Sequence, residues 1–187
     1  VLSVVMALIV TGGMGFVVVQ DLINRLRGRC RSISLHSRIV VWMTAALVFG
    51  GAAVYYLLEH HRSLAGLPTP LGLLNAVFQS VTTRTAGFNV IPQPQLAPAS
   101  RFFTLVLMFT GGAPGSIAGG VKVTTMFLVL LAVLRGTDSG GSLNVRRRRI
   151  VPETVSRAQL FVLRALALLF VSVLALCASE LSGLGAE

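Results

Sequence analysis

The chain has 187 residues, of which 54% are hydrophobic and only 12% charged, and its mean hydropathy is +0.81. Soluble domains carry about 25% charged residues, so a soluble globular enzyme is excluded and an all-α polytopic membrane protein is expected. The net charge of +10 does not mark a nucleic-acid binder. Eleven arginines fall in two segments, Asp21 to Arg38 and Arg135 to Arg157, between apolar runs, which is the pattern of cytoplasmic loops under the positive-inside rule. Membrane lipid headgroups are the expected anionic neighbours. Cys30, in a basic loop, and Cys177, in an apolar run, are placed for neither a disulfide nor a metal.

The first apolar stretch, Val1 to about Val19, contains Thr11-Gly12-Gly13-Met14-Gly15 near its middle. It lacks the basic n-region and cleavage site of a secretory signal, and it reads as a span that the chain enters part-way, so a piece of a longer protein is expected. After the basic loop, Ile39 to Leu58 is an uncharged span with Trp42 near one end and Tyr55 and Tyr56 near the other. Its exit, Glu59-His60-His61-Arg62, is expected outside, with the adjacent histidines diverging and solvated.

Pro70 opens a shorter apolar segment, Leu71 to Val81, which ends in Thr82-Thr83-Arg84-Thr85-Ala86-Gly87-Phe88-Asn89. Too short to cross, it is expected to be a re-entrant helix, with Pro92, Pro94 and Pro98 carrying the chain back to the same surface. Phe102 to Leu134 is long enough to cross, yet six of the twelve positions from Thr110 to Val121 are Gly or Pro. No helix runs undisturbed through such a sequence, so a broken span is expected: a half-helix, a loop at depth, and a half-helix from Val121 to Leu134. A second basic loop with Arg146-Arg147-Arg148-Arg149 follows, its arginines near headgroups, near a cytoplasmic partner or simply solvated. Ala158 to about Ser179 is the last span.

Thr11-Gly12-Gly13 is echoed by Thr110-Gly111-Gly112, each in a span that descends into a basic loop. The expected organisation is therefore 1–20, the second span of one repeat; 21–38, a cytoplasmic loop; 39–135, a complete membrane-pore-membrane repeat; 136–157, a second cytoplasmic loop; and 158–187, the first span of the next repeat.

A cation that leaves water needs oxygens in place of its hydration shell, and backbone carbonyls of an extended segment supply them. Thr85-Ala86-Gly87-Phe88 has the Thr-small-Gly-aromatic order of a cation filter strand, with Thr83, Arg84 and Asn89 in support; an ordinary polar loop is the alternative. Arg84 is expected behind the filter, where it can hold the loop or bond carbonyls, because an unpaired arginine facing the ions would repel them. The Gly111 to Gly120 run fails as a phosphate loop because Val121 separates Gly120 from Lys122. It is read either as a small-residue packing surface or as a flexible loop that blocks and opens the pore. Gly111, Gly112, Pro114, Gly115, Ser116, Gly119, Gly120 and Lys122 are its candidate residues, with Ser116 and free backbone groups facing water. No catalytic constellation and no covalent cofactor is expected.

Ser80 to Asn89, followed by Gly111-Gly112-Ala113-Pro114-Gly115-Ser116-Ile117-Ala118-Gly119-Gly120-Val121-Lys122-Val123-Thr124-Thr125, closely resembles the Trk/Ktr family of potassium transport membrane subunits. The resemblance covers the whole chain. It implies four membrane-pore-membrane repeats, of which this sequence holds the end of the second, all of the third and the first span of the fourth. Gly87 would be a filter glycine, with a potassium ion at the carbonyls of Thr85, Ala86 and Gly87, and Gly111 to Gly120 the intramembrane gating loop. Potassium as the transported ion, a homodimer, a cytoplasmic nucleotide-binding ring of RCK domains and a bacterial inner-membrane location are implied in the same way. Filter segments of the other repeats are absent, so this chain alone holds a quarter of a filter; a non-conducting remnant or interaction protein is the competing reading.

Overall fold

The computed structural model describes residues 1–29, 32–84, 86–136, 143–145 and 148–184. Cys30, Thr85, Arg146 and Arg147 therefore lie outside the described residues. The regular structure of the described chain is helical apart from one short ribbon and one isolated bridge, and the chain divides into two compact units, Val1–Phe127 and Leu128–Glu187.

In the first unit, α1 (Leu2–Met14) and α2 (Phe16–Leu26) meet at Gly15 and are bent by 105°. The stretch that reads as one span is thus two helices, and α2 continues into the basic segment as far as Leu26. Gly15 sits at φ +77°, a conformation that L side chains avoid. Ser34 caps the next helix, α3 (Leu35–Glu59), by accepting the Ser37 amide at 3.2 Å. The Ser34 and Ser37 hydroxyls both lie 2.6 Å from Asp21 Oδ2, which ties α2 to the start of α3. With 25 residues and few charges, α3 is long and apolar enough to cross a membrane.

Helix α4 (Thr69–Thr82) starts with Pro70 in its first turn, where a missing amide is tolerated, and has only 14 residues. It packs along α3, where Gly51 leaves room for Ser80, whose hydroxyl donates to the Leu47 carbonyl at 3.1 Å. A β-carbon at Gly51 would run into that hydroxyl. An extended stretch with a single 3₁₀ turn, Gln93–Gln95, leads to α5 (Pro98–Phe109). Residues 110–122 are not helical, and α6 (Val123–Arg135) follows.

One apolar cluster joins Tyr55, Leu64, Ala76, Ile91, Leu96 and Leu107; another joins Val18, Val40, Ala113 and Val123. The second cluster places Ala113, in the Gly- and Pro-rich stretch, against α2, α3 and the first residue of α6. The structure therefore anchors this segment in the core.

In the second unit, β1 (Leu143–Val145) and β2 (Arg148–Ile150) form an antiparallel ribbon with Leu143 opposite Ile150. This is a departure from the all-α expectation, confined to the second basic segment. Helix α7 (Pro152–Leu184) has Pro152 at its start and Glu153 in its first turn, ion-paired with Arg157 at 3.7 Å. From Pro152 to Ser179 it is apolar enough to span a bilayer, and none of its most apolar window is buried within the chain. Two helices, or three with the bent pair α1 and α2 taken as one span, meet the length and composition of membrane crossings among the described residues.

Candidate functional site

The segment after α4 folds back over the end of that helix. The Thr82 carbonyl accepts the amides of Ala86 and Gly87 at 3.1 and 3.4 Å, and the Thr82 hydroxyl donates to the Phe88 carbonyl at 2.6 Å. One residue thus fixes both sides of a tight turn whose apex includes Gly87, at φ +79°. A Gly87 β-carbon would meet no atom within 4 Å, so backbone conformation, and not space, requires glycine there. Among the described residues, no donor is bonded to the carbonyls of Ala86 or Gly87. Phe88, Asn89 and Val90 are exposed.

Below this turn the support is polar and buried. Thr83 donates to the Ser80 carbonyl at 2.9 Å, and Tyr55 meets Thr104 at 2.7 Å between α3 and α5. Gln79 is 1% exposed, and its side-chain amide makes no hydrogen bond among the described residues. Arg84 is buried, and among the described residues its Nε and Nη2 have no hydrogen-bond partner, so neither donates to a carbonyl of the turn, one of the roles the sequence suggested. It lines a cavity of about 420 Å³ together with Ala86 and Phe88 on the turn, Ile9 and Gly13 on α1, and Ala118. A second cavity, of about 640 Å³, lies on the α5 side of the turn, bounded by Thr83, Gly87, Asn89, Arg101 and Met108.

Two residues whose roles the sequence did not reveal hold the segment that returns from the turn. Arg101 reaches back from α5 to donate to the Leu96 and Pro94 carbonyls at 3.0 and 2.6 Å. Glu59 is 1% exposed, and its carboxylate accepts the Ala97 amide at 2.8 Å and the Ser63 hydroxyl at 2.8 Å. A carboxylate at the start of α5 is favoured by the helix dipole. The signal that could have found it is the lone acidic residue closing an apolar span. His60 and His61 do not diverge: the helix ends at Glu59, and their rings lie 4.8 Å apart. No group of three or more metal-ligating side chains occurs among the described residues.

The 110–122 segment is closely bonded. Thr110 and Val121 form a parallel bridge in which Gly111 donates to the Val121 carbonyl at 2.9 Å and Val121 to the Phe109 carbonyl at 3.0 Å. The Val123 amide donates to Gly112 at 3.1 Å, and the Ala113 amide to Gly13 of α1 at 2.9 Å. The glycines have steric reasons. A β-carbon on Gly111 would overlap the Gly119 carbonyl, and one on Gly112 would lie 2.6 Å from Ser116 Oγ. Gly115 and Gly120 both have φ +73°. Lys122 donates to the Ala118 carbonyl at 2.7 Å. The expected water-facing serine is corrected: the turn that bonds the Ser116 amide to Ala113 folds its hydroxyl over Gly112, where it is buried without a partner.

Residues 1–186 match the family model described as TrkH, cation transport protein. The chain belongs to the TrkH family. It is 37% identical over 184 residues to the potassium/sodium uptake protein NtpJ of Enterococcus hirae, covering 94% of this chain and 37% of that protein. It is 30% identical over 179 residues to the Ktr system potassium uptake protein D of Bacillus subtilis, covering 95% and 40%. Against the Ktr system potassium uptake protein B of Vibrio alginolyticus it is 33% identical over 127 residues, covering 67% and 28%. The chain spans about two fifths of the length of the first two of these relatives. Membership of the TrkH family, with its membrane-length helices, makes it a membrane protein of a cation-transport and not an enzyme family.

Proposed function

We propose that this chain is part of a potassium-conducting pore subunit, with Thr85 to Phe88 as one filter strand and the 110–122 segment as a loop that obstructs the path beneath it. The observation that carries the reading is the turn at Gly87. Thr82 engages the amides of Ala86 and Gly87 and leaves their carbonyls without a donor among the described residues, at the end of a 14-residue helix too short to span. A dehydrated cation requires such oxygens, and the partially negative end of α4 favours a cation beside them. The α4 helix then enters the membrane and returns without crossing, an arrangement tolerated where protein or water surrounds the irregular backbone.

The 39–135 stretch is one membrane-pore-membrane repeat, flanked by a span of the repeat before it and a span of the repeat after. Four such strands surround the ion, so the complete protein and not this chain alone is the conducting unit. The relatives named potassium or potassium/sodium uptake proteins support potassium as cargo. Ktr-system relatives from bacteria support a bacterial inner-membrane location; a dimer of the full-length subunit and a nucleotide-binding RCK-type partner on the side of the basic segments complete the proposal.

The test is potassium uptake by proteoliposomes containing the full-length protein, with sodium as competitor. Potassium flux that persists in excess sodium is expected. A folded full-length protein that carries neither ion would instead leave a non-conducting membrane protein.

A further inference from the structure

Arg84 is a buried charge, and two of its donor nitrogens are unused. It is 7% exposed, and neither Nε nor Nη2 finds an acceptor among the described residues. An ionisable side chain at membrane depth without acceptors is costly and points to a function. Gly13, Gly112 and Ala118 line a narrow cleft with Arg84, and their carbonyls are the candidate acceptors. Each is engaged elsewhere: Gly13 by the Ala113 amide, Gly112 by the Val123 amide, Ala118 by the Lys122 ammonium. The two faces of this arrangement are the filter turn, of which Arg84 is the first residue after α4 and its capping Thr83, and the intramembrane loop.

We infer that Arg84 is the positioning residue that links filter to loop: when the loop is displaced, Arg84 takes over the Gly112 and Ala118 carbonyls and holds it there. The exchange balances. Displacement breaks the bonds from Val123 and Lys122, the two unused donors of Arg84 replace them at the Gly112 and Ala118 carbonyls, and the Val123 amide and the Lys122 ammonium both pass to water in the opened path. The planar guanidinium can serve two carbonyls at once, whereas a lysine in its place offers a point charge. The inference rests on the reading of the 110–122 segment as an obstruction.

Potassium flux per folded full-length protein in proteoliposomes tests it, for Arg84→Met, Arg84→Lys and Lys122→Met, each with the loop intact and with residues 114–118 deleted. Arg84→Met is expected to lower flux roughly tenfold with the loop intact, with potassium over sodium selectivity unchanged, and to have no effect once the loop is shortened. Lys122→Met, which frees the Ala118 carbonyl, is expected to raise flux when Arg84 is present and not when it is replaced by Lys. Equal losses in both loop backgrounds, or a loss of selectivity, would overturn the link and make Arg84 a support of the filter alone. If shortening the loop does not itself raise flux, the obstruction reading fails instead. Should Arg84→Met not fold, the Lys122→Met comparison in the Arg84 and Arg84→Lys backgrounds decides, and additive effects there refute the link.

Discussion

The amide of Ala113 donates to the carbonyl of Gly13 at 2.9 Å, so the two Thr-Gly-Gly sequences of this chain, a hundred residues apart, touch at their ends. Two other contacts tighten the junction. A β-carbon on Gly15 would lie 2.7 Å from the Pro114 carbonyl, and one on Gly12 would lie 3.1 Å from the Ile117 side chain. Small residues here permit backbone to approach backbone, a recurrent device where helices meet in membranes. The bend between α1 and α2 and the 110–122 loop are therefore one packed unit.

Gly15→Ala tests this junction against Gly13→Ala. At Gly15 a side chain meets both a φ of +77° and the Pro114 carbonyl; the conformation alone costs roughly 1–2 kcal/mol. At Gly13 no atom lies within 4 Å of the added carbon and the residue is helical, so alanine should gain up to about 1 kcal/mol in helix propensity. Thermal unfolding of the detergent-solubilised full-length protein should show a lowered Tm for Gly15→Ala and an unchanged or raised Tm for Gly13→Ala. Equal shifts would contradict the packed junction.

Glu59 holds the start of α5. Replacement by Ala strands the buried Ala97 amide, at a cost of roughly 1–3 kcal/mol, whereas Gln retains an oxygen for that amide and an amide group for Ser63. Glu59→Ala is expected to lower the Tm by more than Glu59→Gln. The same Tm for the two variants would mean that charge, and not the Ala97 bond, matters at this site.

The orientation expected from the basic segments is tested by labelling. In a cysteine-free background, His61→Cys should react with an impermeant thiol reagent in intact cells, and Ser32→Cys only after permeabilisation. Both positions are exposed. His61 suits this measurement better than its neighbour Ser63, whose hydroxyl is committed to Glu59. Labelling of Ser32→Cys in intact cells would invert the topology.

The sequence and the structure agree best where local chemistry decides. Pro70 in the first turn and the polar run after Val81 bracket α4, and the uncharged run from Ile39 to Leu58 lies within α3. The break at Gly15 was hidden because Thr11 to Gly15 keeps the hydropathy of a span, and what bends it there, Pro114 and Ala113, lies far along the chain. Glu59, in a Glu-His-His-Arg exit, reads as solvated until Ala97, 38 residues on, supplies the amide that buries it. The Gly111 to Gly120 run was legible as a broken helix. Its bonded state was not, since the bridge from Thr110 to Val121 and the contact to Gly13 are tertiary. The polar run around Gly87 was legible as an order of residue types, while the double grip of Thr82 on Ala86, Gly87 and Phe88 is made by the fold of the turn.

The central claim is that the carbonyls around Gly87 select the ion, and Gly87→Ala in the full-length protein tests it most directly. Nothing crowds the added carbon, so the protein should fold, while the φ of +79° becomes strained by roughly 1–2 kcal/mol and the turn relaxes away from its present geometry. Permeability ratios for potassium over sodium should be measured in proteoliposomes for both proteins. A fall on the order of tenfold is predicted, as expected for a change near 1.4 kcal/mol in relative ion stabilisation. An unchanged ratio in a folded, conducting Gly87→Ala protein would contradict the assignment of this turn as a filter strand.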